Sequence, residues 1–159
     1  MAIIFAVPGG KNYQLDQIVF DLNGTIANGG RVASTTRELL TRLAQRATLY
    51  LITADTHHTA SEIEEVLGEA VRWQLLSGSA TAAAKQELVR QLGSGRTAAV
   101  GNGANDLLML EEAALAIAVA GEEGCFAPLL SRADLLVTHI DQALMLLLEP
   151  KRIIATLRG

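Results

Sequence analysis

Residues 18–29 read "IVFDLNGTIANG": an apolar run, Ile18 to Phe20, leads into Asp21, and the chain then turns at Asn23-Gly24-Thr25. A short apolar run ended by turn residues reads as a buried strand. Ligands of parallel α/β sheets bind just beyond the carboxyl ends of such strands, which is where Asp21 stands. An aspartate that merely caps the following turn is the ordinary structural explanation. Gly24 supports a second one, because a glycine permits a tight turn that brings backbone N–H groups toward an anion. A carboxylate beside an anion site can attack phosphorus, provided a cation offsets the repulsion between the two. Two residues on, where a second carboxylate would be useful, Asn23 supplies an amide.

The pattern outward from this stretch is strand, helix, strand, helix. Ile3 to Val7 and Gln14 to Leu22 flank the turn-rich "PGGKN" and predict a small N-terminal β-hairpin or two neighbouring strands. Leu39, Leu40, Leu43 and Ala44 share one helical face, and "TLYLITA" (48–54) follows as a second buried strand. Thr59 to Glu62 fits a capping box opening a helix through Val66. "VRWQLL", "TAAVGNG", "LAIAV" and "LLVT" predict further strands, separated by helices over 82–92 and over "ANDLLMLEEAA", with a last helix around 143–148. Near-continuous apolar strands alternating with helices predict an α/β fold, a three-layer Rossmann-like parallel sheet covered on both faces. Asp21, Thr53 with Asp55, and the stretch Gly101 to Asp106 then lie at strand ends on one edge of that sheet.

A chain of 159 residues is expected to form one domain, 1–159, with an adequate core. Half of it is apolar and only 4% aromatic, so Ala, Leu, Val and Ile must build that core. A formal charge of -4 without a basic run argues against nucleic acid as a partner. Cys125 is the only cysteine, which excludes a disulfide framework. The N-terminal residues lack the pattern of a signal peptide, and the apolar run 143–148 is too short for a membrane span. A soluble, cytoplasmic protein is expected.

"DLNGT" resembles the first motif of the haloacid dehalogenase superfamily, D-x-D-G-T, with Asn23 in place of the second aspartate. The other motifs follow in order: Thr53 closing "LYLIT", Lys85 opening "KQELVRQLG", and "GNGANDLLML" (101–110), similar to G-D-G-x-N-D. The match is closest to the phosphorylation domain of P-type ATPases and to their small soluble relatives, since "TAD", "AIAV" and "RADLLV" also find counterparts there. The segment between Thr25 and Thr53 leaves no room for the mobile cap domain found in many members.

The resemblance implies a Mg²⁺-dependent phosphatase acting on a small phosphorylated substrate. Asp21 would be the nucleophile, forming an aspartyl-phosphate and ligating Mg²⁺. The Asn23 carbonyl would be a second metal ligand, and Asn102, at the place of a metal-binding aspartate, a third with no charge. Asp106 would hold the metal directly or through water. Asn23, Gly24, Thr53, Ala54, Lys85 and Asn105 would face the phosphoryl group, with Lys85 neutralising charge. In phosphatases of the superfamily the second aspartate protonates the leaving group and later activates water, so Asn23 implies slow turnover and a persistent phospho-enzyme. The paired amides also suit an alternative, a weakly catalytic or inactive protein using the site for phosphate binding or regulation. Cap-less members often cover the site with a partner subunit, which makes a homo-oligomer an expectation.

Other features carry less. A dinucleotide-binding glycine loop at "GNGAND" fails because Asp106 stands at the third glycine position. Adjacent His57 and His58 point differently and suit substrate contact or solvent rather than zinc. Asp55 matches the pump T-G-D, with its role left open. Cys125 reads as a small packing residue and Trp73 as core or interface. Selectivity is expected from loops near His57, 77–80 and 122–125. The basic, amphipathic "PKRIIATLR" is expected to dock as a surface helix.

Overall fold

A computed structural model describes residues 1–54, 58–76 and 81–159, with the side chains of 58 and 59 left out. The sheet at its centre has six strands: β3 (Gln17–Asp21), β4 (Thr48–Thr53), β5 (Arg72–Leu75), β6 (Thr97–Gly101), β7 (Leu115–Val119) and β8 (Leu135–Val137). Their order is β5-β4-β3-β6-β7-β8, and every neighbouring pair is parallel. From β3 the chain first steps outward to β4 and β5, then returns to the other side of β3 for β6. The reversal lies between β3 and β6, where a crevice opens beyond the strand ends.

Alternation along the strands sorts the core into two layers. Ile18 and Phe20 pack on one face with Leu49, Leu51, Ala98 and Val100, covered by α1 (Ser34–Leu43) and α5 (Ile140–Leu148). Val19 faces the other way with Tyr50, Ile52, Ala99, Ala116 and Ala118, beneath α3 (Thr81–Leu92) and α4 (Leu107–Glu112). Alanines at three of those positions let the helices approach closely, which accounts for a core poor in aromatics. By the same period of two, Asp21 shares the face of Val19 and so points toward α3.

Between β3 and β4 lie only a tight loop and α1, and between β5 and α3 only residues 76–80, so neither connection carries an inserted cap domain. The N-terminal hairpin forms as expected, β1 (Ile3–Ala6) against β2 (Asn12–Leu15), but as a separate antiparallel sheet. The apolar run Gln14 to Leu22 is therefore two strands rather than one. Asp16 divides them: its N–H donates to the Arg96 carbonyl at 2.9 Å, its carbonyl accepts from Thr48 at 2.9 Å, and its carboxylate pairs with Arg96. These bonds hand the chain from the hairpin to the central sheet.

Helix α2 (His58–Leu67) covers the expected helix, while the side chain of the expected cap, Thr59, lies outside the described residues. The "ANDLLMLEEAA" helix opens as a 3₁₀ turn over Ala104–Asp106 before α4. The C-terminal segment forms the docked helix α6 (Pro150–Leu157), with Ile153 buried. Among the described residues no helix is long and apolar enough to cross a membrane.

Helices α1 and α5 are joined by one polar clamp. Asp141 accepts from the Thr36 hydroxyl at 2.6 Å and from Thr35 at 2.9 Å, and Thr36 is buried. Asp141→Ala strands the Thr36 hydroxyl without its acceptor, at a cost of about 1–3 kcal/mol. Urea denaturation should show the midpoint falling with an unchanged slope. A midpoint equal to wild type would show that the clamp contributes nothing.

Candidate active site

Asp21 ends β3 and is in register with Ile52 of β4, while its neighbour Phe20 is in register with Val100 of β6. The three strand ends thus bring together Asp21, Thr53 one residue past Ile52, and the loop that starts at Gly101. Helix α3 packs over this face and delivers Lys85, whose side chain is only 1% exposed. Its ammonium donates to Asp21 Oδ1 at 2.8 Å, to Asp106 Oδ1 at 2.8 Å and to Asn105 Oδ1 at 3.3 Å. Three acceptors match the three donors of an ammonium. A solvated helix lysine is therefore not what Lys85 is.

Asp106 is fully buried and both its oxygens hold donors. While Oδ1 takes Lys85, Oδ2 accepts the N–H groups of Asn102 and Gly103, each at 3.0 Å. It fixes the loop and the lysine together, a positioning role. Gly101 makes room for it, because a Cβ there would lie 2.6 Å from the Asp106 carboxyl carbon.

Asn102 is the hub on the other side. Its Oδ1 accepts from the buried Thr25 hydroxyl at 3.1 Å, tying the two loops together, and its Nδ2 donates to the Gly124 carbonyl at 3.4 Å. Gly24 has φ +76°, and its N–H donates to Ala27 at 2.8 Å, so this N–H closes the turn. A side chain on Gly24 would run into the Glu123 carboxylate and sit 2.7 Å from Asn102 Nδ2. Asn23 lies exposed at the open edge, as do Ala54 and Asn105. Thr53 is buried at the end of β4.

Two buried carboxylates share one ammonium. Burial, and then the charge of Asp106, push the Asp21 carboxyl up to about 7, with Lys85 drawing it only part of the way back. Burial works against the charge on Lys85, but Asp21 and Asp106 together outweigh it and hold the ammonium above its usual value. Beyond burial, the asymmetry is one of partners: the lysine gains from two anions, whereas Asp21 shares one lysine with Asp106 and is repelled by it. The cluster retains an excess of negative charge, which a cation would relieve. The Asp21 carboxylate, the Asn23 carbonyl and the Asn102 amide oxygen are oxygen donors of the type that a hard ion such as Mg²⁺ takes, and they could hold one. Among the described residues no three carboxylate, imidazole or thiol groups converge tightly enough to hold an ion alone.

Asp55, His57 and the loop 77–80 lie outside the described residues, and so does the side chain of His58. Cys125 is a free thiol raised above its usual value by burial and then by Asp106. The Thr25–Asn102 bond and the approach of Glu123 to Gly24 have no signature in the sequence, since both depend on how the loops meet.

No family model matches the chain. The protein MJ0073 of Methanocaldococcus jannaschii, itself uncharacterized, is 40% identical over 73 residues, which is 46% of this chain and 78% of that protein. Among solved structures, the 3-deoxy-D-manno-octulosonate 8-phosphate phosphatase of Moraxella catarrhalis, solved with magnesium, phosphate and its KDO molecule, superposes with a TM-score of 0.67 at 20% identity. That match covers 91% of this chain and 94% of the other. A candidate hydrolase of the haloacid dehalogenase superfamily (subfamily III A) from Legionella pneumophila superposes with a TM-score of 0.71 at 16% identity, covering 90% and 87% of the two chains.

The raised Asp21 carboxyl has a consequence for stability. A carboxyl that binds its proton more tightly when folded favours the native state at low pH, and this contribution is lost as pH rises from about 4 toward about 7. In EDTA, Asp21→Asn should therefore melt above wild type at about pH 8, with the gap narrowing by about pH 5 and closing at about pH 4. Mg²⁺ should raise the melting temperature of wild type and leave that of the variant unmoved. A gap independent of pH would contradict the electrostatic reading of the cluster.

Proposed function

We propose that this chain, which belongs to one family with MJ0073 of Methanocaldococcus jannaschii and has the fold of the haloacid dehalogenase superfamily, is a phosphatase working through an aspartyl-phosphate at Asp21. The observation that carries this reading is the buried Lys85 ammonium held between Asp21 and Asp106 at the carboxyl ends of β3 and β6. A structural aspartate does not require a buried cation aimed at it, and desolvating a lysine is costly unless its partners compensate. A nucleophile that must meet an anionic substrate does require one.

Mg²⁺, held by Asp21, the Asn23 carbonyl and Asn102, would offset the charge on the incoming phosphoryl group and polarise it. Asp106 would hold the ion directly through Oδ1, which carries a single donor, or through water, since its Oδ2 is taken by two backbone amides. Lys85 holds Asp21 in place and favours its charged form, and its positive charge would help offset that of the phosphoryl group. An Asp21 oxygen attacks phosphorus, the bond from phosphorus to the leaving oxygen breaks, and the leaving group departs with the bonding pair. Water then attacks phosphorus, the bond to Asp21 breaks, and inorganic phosphate and a proton are released. Thr53 and Asn105 border the space where the phosphoryl group would sit.

Asn23 is exposed where the acid–base aspartate of the superfamily would stand. An amide neither gives nor takes that proton, so each step loses general acid–base help, typically about 10²–10⁴ in rate. Aryl and acyl phosphates, which leave as stable anions, are the substrates least affected. The exposed Leu75 and Phe126 near the open edge favour cover by a second copy of the chain in a cytoplasmic homo-oligomer.

A second reading, a weakly catalytic protein that binds phosphate for regulation, rests on the two amides, Asn23 and Asn102, at positions where the superfamily has carboxylates. Turnover of an aryl phosphate separates the two. The wild type with Mg²⁺ should exceed Asp21→Asn by at least about 10²-fold, and Asn23→Asp should be faster than wild type by roughly 10-fold or more. Wild-type turnover equal to that of Asp21→Asn would remove the enzyme reading. An unchanged rate in Asn23→Asp would refute the role given to the amide.

A further inference from the structure

Asn102 raises a question of charge. It occupies the position where the resemblance expects a metal-binding carboxylate, and it would ligate with a neutral oxygen. The structure places a carboxylate beside it from an unrelated part of the chain. After β7 the backbone turns at Gly121 to Gly124, closed by the Gly124 N–H on the Gly121 carbonyl at 2.9 Å, with Gly124 at φ +76°. This turn is pinned to Asn102 from both sides. The Gly124 carbonyl accepts from Asn102 Nδ2 at 3.4 Å, and the Phe126 N–H donates to the Asn102 carbonyl at 2.8 Å. Glu123 therefore has a fixed base, and its Oε2 reaches over Gly24 into the same space as Asn102 Nδ2. The absence of a Cβ on Gly24 is what admits it.

We propose that Glu123 supplies the negative charge that Asn102 lacks, accepting hydrogen bonds from water bound to Mg²⁺ and so tightening the ion in the site. The inference rests on the phosphatase reading for the presence of the ion, and on the Gly24–Asn102–Glu123 geometry for the residue. Glu122, exposed like Glu123 on the same turn, carries the same charge without the approach to Gly24 and is the natural control. Groups that orient metal-bound ligands from outside the first coordination sphere typically change affinity by about 10–100-fold.

Mg²⁺ affinity of the intact protein, followed by calorimetry at about 0.15 M salt to screen diffuse surface charge, tests this without reference to turnover. Glu123→Gln should weaken Mg²⁺ binding roughly 10-fold, and Glu122→Gln should leave it within about twofold. Asn102→Asp in the Glu123→Gln background should recover the loss, because it returns the charge by the other route. Unchanged affinity in Glu123→Gln overturns the proposal, including the case where turnover alone falls, which would make Glu123 an acid or base. Equal weakening by Glu122→Gln overturns it as well, by reducing the effect to surface charge. In both cases the phosphatase reading survives if Asp21→Asn still abolishes turnover. A wild type that binds no Mg²⁺ and turns over no faster than Asp21→Asn removes both.

Discussion

One ammonium between two carboxylates, all withdrawn from water, is the constraint around which the rest of the site is arranged. Lys85 can be buried only because Asp21 and Asp106 both meet it at 2.8 Å. Asp106 can be buried only because two backbone amides and the lysine complete its hydrogen bonding. Asp21 pays for the arrangement, since its carboxyl is pushed up to about 7 and its negative charge is only partly met. The sheet supplies the alignment. Period-two alternation turns Asp21 toward α3, and the reversal between β3 and β6 opens the crevice in which the loops from 22 to 27 and 101 to 106 face each other. A residue strained in this manner is what a reactive centre requires.

The amides shape what such a centre does. A phosphoryl group taken by Asp21 would leave slowly without a neighbouring acid or base, and Asn23 provides neither. Asn102 holds the loops together through Thr25 and the turn after β7, a structural task that an amide performs with both its donor and its acceptor. A carboxylate there could accept from Thr25 but could not donate to the Gly124 carbonyl. The amide at 102 thus gains a donor where it gives up a charge.

The central strands were legible because their residues leave no ambiguity: "LAIAV" is fully buried and spans the strand Leu115–Val119 as read. Asp21, Thr53, Lys85 and the 101–106 loop were legible through the order of their motifs, and the geometry brings them to one edge. The division of the run 14–22 at Asp16 was not, since it depends on bonds to Arg96 and Thr48, far away in sequence. The 3₁₀ opening over Ala104–Asp106 was also hidden, because it follows from the hold of Asp106 on the loop. Glu123 could not be told from Glu122 by letter alone. Only the turn that pins the chain to Asn102 separates them.

The measurement that bears most directly on this account is detection of the phosphoryl group on the protein. Brief mixing with an aryl phosphate and Mg²⁺, an acid quench and peptide mass mapping should show one added phosphoryl group on the peptide containing Asp21. It should be released by hydroxylamine, as an acyl phosphate is, and be absent from Asp21→Asn. A wild type that hydrolyses the substrate with no such adduct at any quench time, or an adduct mapped to another residue, would contradict the assignment of Asp21 as the nucleophile.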